Sequence, residues 1–537
     1  MFIVKELVNM NSTRQEKTPY MFFPTLWGCV VGFTLLLLVI VDKKMGFHVA
    51  PNPLPIANLQ LIAVPLVLLL SFLFFLANTP APQTSATRFY KQISCYFVIV
   101  LLCQMILARS IWFDTGWDVS AIRLAAKDMV SDGIEPALKK HAWYFSRYPN
   151  NTFLLLFTSL LTKIGTVIWP GYPYRVVTLV NVMFVWLSVY SASLCTYRLT
   201  QSRRITMFAA LLGTILICFS GFIVIPYSDT MAMPFPVLSL TCILFCKNKY
   251  IKTALVAFFS ALGSLLKPPV LIVLIAYGTL CLCDLIKMRS RRQQMVREAL
   301  LTACIIVLAL LCVSGPYALL KKKLSLDTYF RADNALTMTH FLMMGANERT
   351  DGTYSEEDVT FSCSFPDVKT REQENLREYV RRLQSLGISG TLSLLTRKHI
   401  LSYNNGSFLW GGEGGFYQTA NDRTDPFSVF LQEMYYGNLN DPKSIRLLAV
   451  QQIIWLTILL GIAGLPFYRG TNCAAVSWMS LTLLGVTLYL LLFECRSRYL
   501  FVFTPLFICL FGAGIMGWFQ VKSQLANRLK KRNPSEV

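Results

Sequence analysis

Long apolar runs constrain this chain more than any other feature. About 20 apolar residues in helical form match the thickness of the hydrocarbon core, and within lipid only helices and closed barrels satisfy the backbone. The chain has 537 residues, of which 54% are hydrophobic and only 15% are charged. The sequence therefore predicts an all-α polytopic membrane protein with twelve spans, at 23–41, 55–77, 92–113, 175–198, 205–225, 230–246, 251–266, 269–286, 298–318, 448–468, 474–493 and 499–519.

A thirteenth apolar run, 151–169, is predicted to lie along the outer membrane interface instead of crossing. The chain carries 50 lysines and arginines against 29 acidic residues, a net charge of +21, and such an excess collects in cytoplasmic loops. If 151–169 crossed, the basic loops at 198–204, 247–252 and 287–297 would change sides. With it outside, both termini are cytoplasmic. Orientation and anionic lipid then explain the charge, and nucleic acid is excluded as a partner.

The predicted topology divides the chain into parts. Residues 1–318 form a transmembrane core with a catalytic outer loop at 114–174, and 319–447 form a small extracytoplasmic domain. Residues 448–521 add the C-terminal spans, and a basic cytoplasmic tail follows at 522–537. The 15 cysteines lie mostly inside apolar runs and the 4 histidines are scattered. Because none of them shows the spacing of metal ligands, no metal site is predicted from the residues.

This topology collects polar residues at the outer ends of spans that are far apart in sequence. Ionisable groups at such positions are costly and usually functional. A carboxylate can take the proton of an attacking hydroxyl, and Arg and Lys can stabilise a leaving phosphate. The candidates are Asp118 and Asp114 for catalysis, Lys267, Arg498, Arg147 and Arg496 for a donor phosphate, and Tyr148, Asn150, Asp229, Tyr499, Trp410 and Glu413 for substrate binding.

Each candidate also has a purely structural interpretation. The aspartates precede helical runs and are suited to N-caps, whereas the basic residues can snorkel to the headgroups. Trp410 is typical of an interfacial anchor, and Tyr148-Pro149-Asn150-Asn151 is typical of a turn that starts a helix. Function is favoured because all the candidates fall on one side of the membrane.

At these residues the sequence resembles the GT-C superfamily of membrane glycosyltransferases, in particular the protein O-mannosyltransferases and the lipid A aminoarabinose transferase. The family has an Asp-Glu pair where this chain has Asp118-Val119, so the second acid is absent. The resemblance is carried by Asp118 with Ala126, Met129 and Val130 at the family's spacing, by the partial match of Tyr148-Pro149-Asn150-Asn151, by Leu265-Leu-Lys267-Pro, and by Glu494-Cys-Arg-Ser-Arg498-Tyr499.

The resemblance implies a GT-C fold with about twelve transmembrane helices and an interfacial helix in the first large outer loop. It implies an inverting transfer of a sugar from a polyprenyl phosphate, with Asp118 as the general base and Asp114 as the alternative. The 319–447 segment is similar to the outer loop of Gram-positive relatives, so the acceptor is expected to be a cell-wall polymer, a glycolipid or a protein outside the cell membrane. No cofactor is expected, and the absent second acid leaves a divalent metal open.

Two other classes of membrane protein stay open. A lipid-sugar flippase or transporter should show internal repeats and interrupted helices at mid-bilayer, and the two halves of this sequence show no repeat. A polysaccharide polymerase or ligase would also place a long outer loop late in the chain. That class would depend on Arg and His in the late loop, whereas here an Asp in the first outer loop is the main candidate.

Overall fold

The computed structural model is a bundle of helices with little other secondary structure. It describes residues 19–40, 46–50, 54, 56–79, 85–287, 291–413, 416–417, 419–420, 423–437 and 441–532. The end of the predicted cytoplasmic tail, 533–537, lies outside the described residues.

The α-helices are α1 Phe22–Ile40, α2 Asn58–Leu61, α3 Ala63–Asn78, α4 Ala86–Ser110, α5 Trp117–Ser131, α6 Ile134–Lys140, α7 Ala142–Arg147, α8 Thr152–Ile168, α9 Arg175–Thr200, α10 Arg203–Gly213, α11 Ser228–Met231, α12 Pro234–Phe245, α13 Lys249–Leu266, α14 Ile272–Lys287, α15 Arg292–Lys323, α16 Leu326–Tyr329, α17 Met338–Gly345, α18 Glu356–Cys363, α19 Val368–Tyr403, α20 Pro426–Tyr436, α21 Pro442–Ile462, α22 Cys473–Leu492 and α23 Thr504–Arg532. Short 3₁₀ turns lie at Pro19–Met21, Pro149–Asn151, Gly221–Val224, Pro268–Leu271, Ala332–Asn334, Glu348–Thr350, Leu465–Phe467 and Ser497–Phe503. A π-helical turn at Thr214–Cys218 and two short strands, β1 Phe113–Asp114 and β2 Thr419–Ala420, complete the described elements.

Twelve helical stretches in the described part of the chain are long and apolar enough to cross a membrane. All but one overlap the predicted spans, so the prediction of an all-α polytopic membrane protein is confirmed. The exception is Pro149–Ile168, the run that was predicted to lie at the interface. Length and composition alone qualify it, so its interfacial placement stays a prediction.

The predicted span at 205–225 does not form one long helix. After α10 the chain makes a π-helical turn at Thr214–Cys218, and a 3₁₀ turn follows at Gly221–Val224. The side chain of Ser220 accepts a hydrogen bond from the Phe222 N–H and caps this second turn. Such π-turns often lie near functional sites. Here the break leads the chain towards Tyr227 and α11, two parts of the site described below.

The Ser497–Val521 span, which includes the first part of α23, is deeply enclosed, since 94% of its most apolar 18-residue window is buried inside the protein. Gly514 lies so close to Gly461 of α21 that an added Cβ would overlap the Gly461 carbonyl oxygen, and Gly517 approaches Gly464 in the same way. Small residues allow this close contact of backbones within a membrane.

The segment between α15 and α21 is tied into the bundle at several points. Gly387 divides α19 with a φ of +61°, which glycine adopts without steric cost. In the second half of α19, Tyr403 and Thr487 share a hydrogen bond of 2.7 Å. Strands β1 and β2 pair in antiparallel fashion and join the two predicted outer loops. The domain boundaries at 318 and 447 stay predictions.

Candidate active site

Asp118 lies in the first turn of α5, where two tyrosine hydroxyls donate to its carboxylate. Tyr144 of α7 donates to Oδ1 at 2.8 Å, and Tyr227 donates to Oδ2 at 2.9 Å. Asn151 in turn donates to the Tyr144 hydroxyl oxygen at 2.8 Å. An ionised carboxylate accepts at both oxygens, and the first turn of a helix is a favourable place for negative charge. Three separate elements therefore orient this side chain.

Trp117, the residue before Asp118, has a φ of +46°. A bulky residue rarely adopts this left-handed conformation, which costs about 1–3 kcal/mol and is found mainly where function requires it. Its indole Nε1 donates to Thr115 Oγ1 at 2.7 Å. The guanidinium carbon of Arg498 lies 4.4 Å from the centroid of the indole, a cation–π distance. The indole of Trp117 thus links the helix of Asp118 to the last membrane span of the described residues.

Asp229 is the shared partner of two buried cations. Its Oδ1 pairs with Lys267 Nζ, and its Oδ2 lies 3.4 Å from Arg498 Nη1. Asp229, Arg498 and Lys267 are 2%, 5% and 7% exposed. Burying such charges is costly unless they are paired. Because a cluster of this kind is a poor way to gain stability, it indicates a functional site.

A second set of charges adjoins this triad. Glu413 lies 3.2 Å from Arg496 Nη1 and 3.3 Å from Arg498 Nε. Arg496 also reaches Glu494 at 3.6 Å, and the Tyr499 hydroxyl donates to Glu494 at 3.0 Å. Four carboxylates, those of residues 118, 229, 413 and 494, thus share one end of the bundle with three cations, at residues 267, 496 and 498.

Burial controls the titration of the groups around Asp118. It raises the pKa of Tyr144 and of Tyr227 well above the usual value, and the charge of Asp118 raises both further. Both hydroxyls therefore remain protonated donors at neutral pH. Burial also raises the pKa of Glu494, against the opposing effect of Arg496.

Local sequence explains how these side chains reach the site. Helix α13 ends at Leu266 because Pro268 and Pro269 follow Lys267, and a residue before proline avoids the helical region. Lys267 accordingly has φ −145° and ψ 104°. The Lys267 side chain therefore projects from the end of α13 and not from the side of the helix. Arg498 similarly lies in the 3₁₀ turn Ser497–Phe503 rather than within α23.

The structure brings together more than half of the residues that the sequence singled out for the site. Their catalytic and binding roles stay predictions, but their mutual contacts are direct or pass through one aromatic ring. The residues brought together are Asp118, Asp229, Lys267, Glu413, Arg496, Arg498 and Tyr499.

Two charged candidates are engaged elsewhere. Asp114 forms an ion pair at 3.0 Å with Arg123, which lies on the same helix as Asp118. The backbone of Asp114 belongs to β1. Arg147 lies over the Trp143 ring at 5.8 Å, and its carbonyl oxygen accepts from the Leu336 N–H at 2.9 Å. Within the described part of the chain, these contacts do not include the carboxylates of the cluster.

Trp410, a candidate for substrate binding, lies among other aromatic rings. Its indole N–H donates to the carbonyl oxygen of Tyr435 at 2.9 Å, and its ring meets Phe113 and Phe416 edge to face. These contacts indicate a structural anchor for the loop that carries Glu413.

The remaining candidates lie near the tyrosine pair. Tyr148 is half-buried, with its ring centroid 5.2 Å from that of Tyr144. Asn150 is exposed and donates weakly to the Asn151 side chain at 3.4 Å. Both residues therefore border the surroundings of Asp118 without contacting its carboxylate in the described structure.

Tyr144, Tyr227, Trp117 and Asn151 were not predicted as site residues. Each lies within one to three residues of a predicted candidate, so proximity in sequence was the available signal. A tyrosine at the end of a membrane span is also typical of interfacial anchoring. For that reason composition alone could not assign these two hydroxyls to a carboxylate.

Among the described residues, no group of three or more His, Cys, Asp or Glu side chains is placed to hold a metal ion. Arg496 contacts both Glu413 and Glu494, and Arg498 contacts both Glu413 and Asp229. Whether a divalent metal takes part stays open.

The helices and the buried ionic cluster define a multi-pass integral membrane protein with an ionic site at one end of its bundle. The chain belongs to the CHIM_prot family, described as conserved hypothetical integral membrane protein, whose model matches residues 24–515. No curated protein matches the sequence.

Among solved structures, the chain is similar to the crystal structure of ArnT from Cupriavidus metallidurans bound to undecaprenyl phosphate. The two chains are 12% identical, and the match covers 83% of this chain and 81% of that one, with a TM-score of 0.31.

Proposed function

We propose that this chain is a glycosyltransferase of the GT-C type, which moves a sugar from a polyprenyl-phosphate donor to an acceptor outside the cell membrane. One observation carries the proposal. The Tyr227 hydroxyl donates to Asp118, and the Arg498 guanidinium lies 5.4 Å from the centroid of the Tyr227 ring. Asp229 in turn pairs with both Arg498 and Lys267. A base and a phosphate-binding pair are the groups that this transfer needs.

In the proposed reaction, the acceptor hydroxyl attacks the anomeric carbon from the face opposite the phosphate. The new carbon–oxygen bond forms as the bond to the phosphate oxygen breaks, and the electron pair of that bond stays on the phosphate. Asp118 receives the hydroxyl proton, and the anomeric configuration inverts. Lys267, Arg496 and Arg498 stabilise the charge on the departing polyprenyl phosphate.

Tyr144 and Tyr227 orient the base in this reaction. A carboxylate offers about four lone-pair sites, and the two hydroxyls use one on each oxygen. Sites therefore remain for the acceptor hydroxyl. Because both tyrosines stay protonated, they keep the carboxylate fixed without competing for the proton.

The positions of basic residues support an extracytoplasmic site. Several helices that reach the cluster carry basic residues at or near their other ends, namely Arg198 in α9, Lys249 in α13 and Lys287 in α14. Positive charge in short loops favours the cytoplasmic side. The opposite end of the bundle, which holds the cluster, then faces away from the cytoplasm.

A reconstituted assay tests the proposal. Wild type and Asp118→Asn are purified, supplied with a polyprenyl-phosphate hexose, and followed by release or transfer of the sugar. We expect Asp118→Asn to lower the rate about 10²- to 10⁴-fold. Asp128→Asn is the matched control, because Asp128 lies on the same helix and pairs with Lys140 and His141.

Full activity in Asp118→Asn would refute the assignment of the base, and loss of activity in Asp114→Asn alone would transfer the role. Labelled donor that crosses a vesicle membrane uncleaved would favour a flippase. Growth of a polymer chain from the lipid would favour a polymerase or ligase.

A further inference from the structure

The carboxylate of Glu413 pairs with two arginines at the start of the last described span. Arg496 directly precedes that span, and Arg498 lies in its first turn. Oε2 lies 3.2 Å from Arg496 Nη1, and Oε1 lies 3.3 Å from Arg498 Nε. Two guanidinium groups that face one anion form an arrangement suited to phosphate, which can accept from both. Glu413 therefore holds the position that a phosphate group would take.

The ion pairs of Glu413 are loosely formed. Oε1 of Glu413 and both Nε and Nη1 of Arg498 are buried, yet none has a hydrogen-bond partner among the described residues. By comparison, Arg382 and Asp358 pair at 2.6 Å in the same protein, as charge-assisted hydrogen bonds usually do. Arg498 thus retains donors that a better-placed anion can use.

Glu413 also follows a part of its loop that can change conformation. Trp410 is fixed by its bond to the Tyr435 carbonyl oxygen. Gly411 and Gly412 come next, and both are exposed. Gly411 has a φ of +75°. Glycine permits several backbone conformations at little steric cost, so the carboxylate can leave the arginines while Trp410 stays in place.

We propose that Glu413 is a built-in competitor for the phosphate group of the ligand. It neutralises Arg496 and Arg498 before a phosphate-bearing lipid binds, and it is displaced when the phosphate arrives. One negative charge leaves as another enters, so the buried arginines are never left unpaired, which would be costly. The lipid part of this inference rests on the proposed function, whereas the phosphate part rests on the arginine pair.

Equilibrium binding of undecaprenyl phosphate to the full-length protein in lipid nanodiscs tests the proposal. A competitor that occupies the site most of the time raises the apparent Kd, which equals the intrinsic Kd divided by the fraction of molecules whose site is free. With that fraction at about 10% or less, Glu413→Gln is expected to lower Kd about tenfold or more. Glu413→Asp, with its shorter reach, should fall between this variant and wild type. Glu433→Gln is the matched control, because Glu433 pairs with Lys443 on the exposed surface.

Weaker binding in Glu413→Gln would mean that the carboxylate positions the arginines, and unchanged binding would mean that it has no effect. Either result overturns the proposal. If Glu413→Gln does not fold, as judged by size-exclusion profile, Glu413→Asp decides by the same criterion.

A parallel titration with inorganic phosphate separates this inference from the proposed function. Tighter phosphate binding in the variant, without any binding of undecaprenyl phosphate to either protein, supports the competitor and removes the lipid donor. No tightening with either probe overturns the competitor. Loss of transfer in Asp118→Asn bears only on the proposed function.

Discussion

Asp229→Asn should expose how much the ionic cluster depends on a single carboxylate. Asp229 is 2% exposed, and its Oδ2 lies 3.4 Å from Arg498 Nη1. At the effective dielectric constant of about 20 that suits protein sites, this one contact represents a gross attraction of about 5 kcal/mol. Removing one partner of a buried pair costs about 3–5 kcal/mol, here because Lys267 stays buried without its carboxylate partner while Arg498 keeps only Glu413. We expect Asp229→Asn to lower the free energy of unfolding by that amount.

A double-mutant cycle with Lys267→Met isolates the origin of this loss. Unfolding is followed by tryptophan fluorescence in mixed micelles of increasing denaturing detergent. The double variant should lose less than the sum of the single variants, with a coupling of about 1–3 kcal/mol, since anion and cation are removed together. The exposed pair Lys139–Glu135 serves as the control and should show no measurable coupling. Additivity within about 0.5 kcal/mol at Asp229 and Lys267 would refute the reasoning.

Three further perturbations follow from the structure. Tyr227→Phe removes a hydroxyl that donates to Asp118 at 2.9 Å. A hydrogen bond to a charged group is worth about 1.5–3 kcal/mol, so kcat in the transfer assay should fall about 10- to 150-fold with donor Kd unchanged; an unaltered kcat would contradict the orienting role. Gly514→Ala forces a Cβ against the backbone of the neighbouring helix and should destabilise the protein by about 1–3 kcal/mol, whereas Gly278→Ala, which meets open space inside a helix, should not lower the melting temperature. Equal melting temperatures for the two variants would count against the close crossing. Burial lowers the pKa of Lys398 to about 8 from an ordinary value of about 10.4. Between these values the unfolded chain binds a proton that the folded chain does not. Stability should therefore rise with pH across this window by about 3 kcal/mol relative to Lys398→Met, and a constant difference between the two proteins would refute the shift.

Hydropathy predicted the helices well where apolar length was the deciding quantity. It failed at 205–225, where the run is apolar enough but the backbone breaks after Gly213 into a π-turn and a 3₁₀ turn. Hydropathy averages over a window and does not register how a helix is interrupted by its packing partners. Ser220 caps the second turn, a local signal that becomes meaningful only once the turn is known.

The predicted topology placed Asp118, Lys267 and Arg498 at the outer ends of their spans. Side chains at such positions lie at the same depth in the membrane, so the three were expected to lie near one another. The topology could not predict which side chains would touch. Asp114 and Asp118 lie four residues apart with the same surroundings in sequence. Only the structure assigns Arg123 to Asp114 and the tyrosines to Asp118. Such partners depend on how helices rotate about their axes in the bundle, which pairwise packing of many side chains determines.

The two arginines beside Glu413 enter the molecule with the last membrane-spanning stretch of the described residues. Asp118, Tyr144 and Tyr227 all precede residue 319, whereas Arg496 and Arg498 are translated only after the 319–447 segment. Under the proposed reaction, a nascent chain that has not yet reached Arg496 holds its base and Lys267 but lacks the arginine pair. We therefore expect transfer to begin only after both arginines have joined the site.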